Sequence, residues 1–368
     1  MPMEGPRAPK ESELSDVIEF LDRYLRPQCE WSIRDEYPNS LCISNQSNIR
    51  VIMDGPKVIS HAVVKYLIIK TKVGLFRVAA IGSVLTHPDY RSQGLSQKIL
   101  KDCLQLAESQ GCDFSILWTD LYEFYRRMDF ELAGSEVSFL IDRELAAPFD
   151  TQIKVLNSPQ VQPEALLKLY GAHTVTSMRN VNDIRQFLKI PDSRIYTAWN
   201  KDNQLLAYAV EGKGADLQGY IHEWGGGLKD LLPLLSHIYR EQGRALTMIV
   251  PGHSTNLIKN MRDRGLSPIF GHLGMIRLMN TENVFTKLRR YAHSIGINDF
   301  VIGEDLESHS YYLGAGNNIL RTKKITHLTQ LLFGPLRASH IDAFQLETVR
   351  KLEQVLPIPM WIWGWDSV

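Results

Sequence analysis

The stretch His87-Pro88-Asp89-Tyr90-Arg91-Ser92-Gln93-Gly94-Leu95-Ser96-Gln97-Lys98-Ile99-Leu100 decides how this chain is read. Ahead of it, residues 76–86 carry a strand signal. Behind it, Ile99, Leu100, Cys103, Leu104 and Ala107 recur on one helical face, and Gly111 is placed to cap the helix. The chain therefore runs strand, polar turn, helix. The first N–H groups of a helix have no internal partners, and the helix dipole adds positive charge there. Gly94 lets a ligand approach the backbone, and Arg91 can add charge-assisted contacts. That combination suits a phosphate or pyrophosphate. Taken alone, R-x-x-G-x-S reads first as a plain strand-to-helix connection.

Working outward, residues 112–119 read as a buried strand, 121–128 as a short helix, and 137–142 as a further strand. Upstream lie an amphipathic helix at 15–25 and two strands, 48–53 and 58–70, joined by the turn Asp54-Gly55-Pro56-Lys57. The mixture predicts an α/β or α+β unit over residues 1–150. After a linker at 157–162, the same order returns. Strand 217–224, helix 228–242, strand 245–250 and helix 256–264 repeat 76–86, 96–110, 112–119 and 121–128, with 275–279 as a final strand. We read this as a diverged duplication occupying 151–281. Residues 282–368 fit neither copy. They hold the apolar segment 328–335, a helix at 342–354 and an aromatic tail, and read as a small third domain.

Composition narrows the function. The 368 residues suit two or three domains, and 44% hydrophobic with 22% charged residues suits a globular chain. Lysine plus arginine equals aspartate plus glutamate at 41 each, against a dedicated nucleic-acid binder. No run approaches the roughly 18 apolar residues of a membrane span. The polar N-terminus and four cysteines without C-x-x-C spacing point to a reduced, cytoplasmic setting. The eleven histidines lack metal-site spacing, so no metal is expected.

Residues 84–96 resemble motif A of the GCN5-related N-acetyltransferase superfamily, whose acetyl-CoA signature is Q/R-x-x-G-x-G/A. Arg91 and Gly94 match it, and Ser96 replaces the usual glycine or alanine. Phe124-Tyr125-Arg126-Arg127-Met128-Asp129-Phe130-Glu131 resembles the family's second motif, with Asp129 in place of its glycine. The whole plan is similar to Eis-like acetyltransferases: two tandem acyl-CoA N-acyltransferase folds, the second degenerate, then an α+β domain like a sterol carrier protein. Residues 328–334 are similar to a segment of that last domain. In the second copy, Trp224-Gly225-Gly226-Gly227 stands where a cradle would be, without a basic residue, and serves a turn.

The resemblance implies acetyl-CoA as co-substrate, bound by Val84, Leu85, Thr86, Arg91, Ser92, Gln93, Gly94, Leu95, Ser96 and Gln97, with the thioester along a splayed strand at 84–86. It implies Tyr125 as the acid for the leaving thiolate and the carboxylate at Val368 as the base. Asp366, Glu123 and Glu36 are the other candidate carboxylates, and the tail is read either as docked in the active site or as core of the third domain. Trp31, Asp35, Glu36 and Tyr37 line an amine pocket or form a surface loop. The acceptor is an amine of a small molecule or protein, and a homo-oligomer is left open. A non-catalytic CoA sensor or scaffold is the alternative, resting on Asp129. An apolar ligand in the last domain is a third reading.

Overall fold

The computed structural model describes residues 3–149, 152–158 and 160–368. The expected boundary at 150 and Pro159 of the expected linker lie outside the described residues.

Two large mixed sheets dominate. The first runs Glu4–Arg7, Ile49–Asp54, Lys57–Lys70, Leu75–Thr86, Phe114–Leu117, Gly274–Leu278, Glu131–Ala133, with Thr176–Ser177 added beside Lys57–Lys70. The second runs Pro268–Gly271, Glu136–Ile141, Leu246–Pro251, Asp216–Gly226, Leu205–Lys213, Arg194–Trp199, Lys154–Asn157. Each contains one parallel step. In the first sheet it joins Leu75–Thr86 to Phe114–Leu117, and helix Leu95–Ser109 makes the crossover. In the second it joins Asp216–Gly226 to Leu246–Pro251 through helix Leu228–Gln242. The repeated element order is thus repeated topology.

The two sheets exchange strands. Glu136–Ile141 follows the first copy in sequence but pairs between Leu246–Pro251 and Pro268–Gly271 of the second sheet. Gly274–Leu278 follows the second copy but pairs between Phe114–Leu117 and Glu131–Ala133 of the first. Alternation in these strands fixes which residues are buried and says nothing about which sheet receives them. A cut at residue 281 would separate neither strand from its host, whereas a cut at 150 would remove a strand from each sheet. One core cluster accordingly contains Phe114 from the first sheet, Val137 and Met248 from the second, and Phe285 and Phe333 from beyond them.

The last part carries a three-stranded antiparallel sheet, Phe300–Asp305, Ser310–Ala315 and Asn318–Thr322, that the sequence reading left unlocated. These strands are short and interrupted by Gly303 and Gly314, whose missing side chains admit the Tyr312 ring and the Asn318–Ile319 backbone. Helix Ile325–Phe333 buries Leu328, Leu331, Leu332 and Phe333 in the common core, with Phe333 5.0 Å from the Phe114 ring. No helix among the described residues is long and apolar enough to cross a membrane. All four cysteines are free.

The aromatic tail packs outside its own unit. Trp363 donates to the Val175 carbonyl at 3.1 Å, and Trp365 stacks on Phe187 at 5.6 Å. Asp366 is held by Arg179, a residue of the second block. The tail then reaches strand Leu75–Thr86 at Gly82.

Candidate active site

Strand Leu75–Thr86 makes one wall. Its pairing with Phe114–Leu117 ends at Ala80, so from Ile81 to Thr86 no described strand pairs with its edge on that side. On its other side the register with Lys57–Lys70 slips: His61 pairs with Leu85 and Val63 with Gly82, leaving Ala62 opposite both Ser83 and Val84. This is a β-bulge, which bends and twists the strand that carries the extra residue.

Beyond Thr86 a turn of 3₁₀ helix, Pro88–Tyr90, is tied to the first hairpin by Tyr90 donating to Asp54 at 2.6 Å. The chain then passes through Ser92 at φ 62° and Gly94 at φ 75° into helix Leu95–Ser109. Gly94 occupies the N-cap without a side-chain cap, and a β-carbon built there meets nothing within 4 Å. From Ser92 to Gln97, six successive backbone N–H groups donate to no acceptor among the described residues. Lys98 is the first to be satisfied, by the Gly94 carbonyl at 3.0 Å. Ser96, the departure from the usual motif, shares a 2.8 Å hydrogen bond with Thr86, which is itself linked to Ser60. The hydroxyl thus pins the helix start to the strand end.

These pieces enclose a cleft of about 650 Å³. Val84, Leu85, Thr86, Arg91, Ser92, Gly94, Leu95, Ser96 and Gln97 line it, with Leu121 and Phe124 opposite. Of the sequence-derived binding residues only the Gln93 side chain stays outside the lining. Arg91 is exposed, with its Nε 3.5 Å from the Thr86 carbonyl. An exposed guanidinium beside unpaired helix N–H groups forms an anion-binding arrangement.

Tyr125 lies in the short helix Tyr122–Arg126, next to Phe124 of the cleft wall. It is 6% exposed and packs edge-on to Phe124 and Phe130. Its hydroxyl has no hydrogen-bond partner among the described residues. Burial, with a smaller contribution from Cys103, pushes the phenol up to about 12. Asp129 adopts φ 60°, the left-handed conformation a glycine takes easily, so the turn geometry survives the substitution.

The candidate carboxylates are sorted by their partners. Glu36 is fully buried and accepts from Arg26 at 2.7 Å, Trp31 at 2.6 Å and the Ala215 N–H at 2.8 Å. Asp366 is buried against Arg179 and Ser177. Glu123 is exposed and paired with Arg126 at 2.5 Å. Val368 abuts Gly82, two residues from Val84 of the cleft. Trp31 and Asp35 line a second cleft of about 570 Å³ together with Asn39, Gln186 and Lys189. Tyr37 turns inward and donates to Asp216.

Sequence reasoning missed Gly82, His61, Lys65 and Lys213. Lys213 is buried and donates to the Gly364 and Ser367 carbonyls, and Lys65 donates to that of Asp366. Burial lowers both ammonium groups from their ordinary value. No local pattern marks these residues, since the partners of the two lysines lie 151 to 301 positions away and His61 meets Ser83, 22 positions on, only across two paired strands. In the second copy, a β-carbon on Gly225 would meet the Tyr208 ring at 2.5 Å and one on Gly226 the Leu206 carbonyl at 2.4 Å. Those glycines serve packing, and Asp230 in the first helical turn opposes an anion.

Residues 6–133 match the family model of the acetyltransferase (GNAT) domain. No curated protein sequence matches the chain. Solved structures share its fold over the whole length. A probable N-acyltransferase from Enterococcus faecalis V583, described as a conserved protein of unknown function, is 14% identical, with 98% of each chain covered and a TM-score of 0.67. A GCN5-related N-acetyltransferase from Anabaena variabilis is 14% identical, with 100% of each chain covered and a TM-score of 0.64. Eis1 from Mycobacterium abscessus is 12% identical, with 100% of each chain covered and a TM-score of 0.62. Residues 6–133 are thus similar to an acetyltransferase (GNAT) domain, and the whole chain shares its fold with Eis1.

Proposed function

We propose that the chain is an acetyl-CoA-dependent N-acetyltransferase acting on an amine of a small molecule or protein. The carrying observation is the run of six unsatisfied N–H groups from Ser92 to Gln97, set beside the unpaired edge of strand Leu75–Thr86. In this reading the N–H groups and Arg91 hold the pyrophosphate, and the thioester lies along Val84, Leu85 and Thr86. A backbone N–H at the bulge stabilises the oxygen as charge develops on it. The neutral amine attacks the thioester carbonyl carbon and the C–S bond breaks. Tyr125 gives its proton to the leaving thiolate, and the Val368 carboxylate takes the proton lost by the amine. The choice of Val368 is supported by its contact with Gly82 and by the ion pairs that occupy Glu36 and Asp366. The second cleft, with Trp31 and Asp35, is the proposed acceptor entrance. The 1–150 unit is the proposed catalytic unit, 151–281 its degenerate copy, and 282–368 a sterol-carrier-like unit.

Acetyl-CoA titration of the wild type and of Gly94→Glu tests the site. The wild type should bind and gain thermal stability. The glutamate, in a left-handed position beside the cradle, should abolish both effects, and undiminished binding by the variant would refute the assignment. Turnover with an amine panel separates enzyme from sensor.

A further inference from the structure

We infer that His61 is a positioning residue for acetyl transfer, holding the Ser83 carbonyl so that the bulge presents Val84 to the cleft. The inference rests on the acetyltransferase reading above. His61 lies in strand Lys57–Lys70 and is 0% exposed. Its Nδ1 is 2.8 Å from the Ser83 carbonyl oxygen, so Nδ1 carries the proton and donates it. Ser83 is the first of the two residues that share Ala62 as their cross-strand neighbour, and it adopts φ 48°. A β-carbon disfavours that conformation, so something outside the strand must hold it. The His61 ring supplies that hold.

The other ring nitrogen makes the case. With the proton on Nδ1, Nε2 bears a lone pair, is buried and has no hydrogen-bond partner among the described residues. An unpaired buried acceptor is destabilising, and an apolar side chain of similar volume would avoid it. Packing alone therefore does not favour histidine here, whereas the bond to Ser83 does. Burial pulls the ring down to about 4, against a smaller opposing effect of the Ser83 bond, so the ring is neutral across the physiological range. The bulge it fixes is flanked on both sides by candidate machinery. Gly82 meets Val368, and Val84 lines the cofactor cleft. A slip of one residue would move both.

The test uses the full chain and three substitutions, His61→Asn, His61→Gln and His61→Leu. An asparagine amide can stand in for Nδ1–H, whereas a glutamine amide reaches toward Nε2. The expected result is kcat within about threefold of wild type for His61→Asn and a loss on the order of 100-fold for His61→Gln and His61→Leu, the scale of one misplaced oxyanion donor. The Kd for acetyl-CoA should stay within about twofold in all three, because Ser92 to Gln97 are untouched. An active wild type with an equally active His61→Leu overturns this inference alone. So does an active His61→Gln beside an inactive His61→Asn, which would assign the role to Nε2. If His61→Leu fails to fold, the asparagine–glutamine contrast still decides. A wild type that binds acetyl-CoA but acetylates no amine overturns the enzymatic reading, and this inference with it.

Discussion

Val368 and Gly82 meet backbone to backbone. A β-carbon on Gly82 would lie 2.6 Å from the Val368 carboxylate carbon and 2.9 Å from one of its oxygens. Neither contact can exist, so Gly82→Ala must lift the tail or shift the strand. Because the proposed base and the proposed oxyanion donor sit on either side of this contact, kcat should fall at least about tenfold, as small misplacements at reacting centres do. The Kd for acetyl-CoA should be little changed. Trp363 and Trp365 are buried along the tail, so tryptophan emission should shift to the red as the tail loosens. Wild-type kcat together with wild-type emission would show that the contact is dispensable.

Tyr125 is predicted to matter for rate and hardly at all for stability. Its hydroxyl bonds to no described residue, so Tyr125→Phe should change unfolding free energy by less than about 1 kcal/mol. Loss of a general acid should lower kcat by roughly 100-fold or more. The raised phenol also sets a pH expectation. With a folded value of about 12 above the unfolded value of about 10, its stabilising contribution is complete below about pH 10 and is lost as pH rises through about 12. The proton it donates is therefore held throughout the neutral range. A pH–rate profile of kcat should show no limb from Tyr125 below about pH 10. Equal kcat for wild type and Tyr125→Phe would remove it from the mechanism.

What the sequence revealed was the local part of this site. Arg91, Gly94 and the helix after them form one contiguous segment, so strand signal, turn residue and helical periodicity sufficed to place the cradle. The repeated element order likewise exposed the duplication. What stayed hidden depends on distance along the chain. Alternation in residues 136–141 announces a strand, yet only the pairing partners reveal that it joins the other sheet. Lys65 and Lys213 serve tail groups that lie far off in sequence, Asp366 being 301 residues from Lys65, and His61 meets Ser83 only through the pairing of two strands. Val368 entered through family resemblance alone. The Phe300–Thr322 sheet was missed because its strands are short and broken by glycine.

Asp129 occupies a left-handed position at φ 60° where the family motif has glycine. Asp129→Gly should relieve that conformation. The gain is offset by the greater freedom of glycine in the unfolded chain, leaving a net stabilisation of at most about 1 kcal/mol. Because the turn already has the geometry glycine would give, kcat should be unchanged. A large rise in kcat would instead mean that the aspartate distorts the Tyr125 helix, and would revive the reading of this chain as a weakened enzyme or sensor. Urea unfolding and amine turnover on the same preparation distinguish the two.

Asp366 is the anchor of the tail. The Arg179 guanidinium, 2% exposed, lies 2.8 Å from Asp366 and 2.5 Å from Glu223, and Ser177 donates to the same aspartate. Removing the Asp366 charge leaves Arg179 with Glu223 alone and takes the ion-pair partner from buried Lys65, so Asp366→Asn should cost about 3 kcal/mol. Burial alone would raise this carboxyl. The Arg179 and Lys65 charges outweigh that effect and hold it below the ordinary carboxylate range. The sign of the pH dependence follows. The folded value lies below the unfolded one, so the stabilisation is present above about pH 4 and is lost as pH falls through the folded value. The difference in urea midpoint between wild type and Asp366→Asn should therefore be largest near neutrality and shrink on acidification below about pH 4. A difference that persists undiminished at low pH would show that Asp366 acts through packing of the tail and not through its charge.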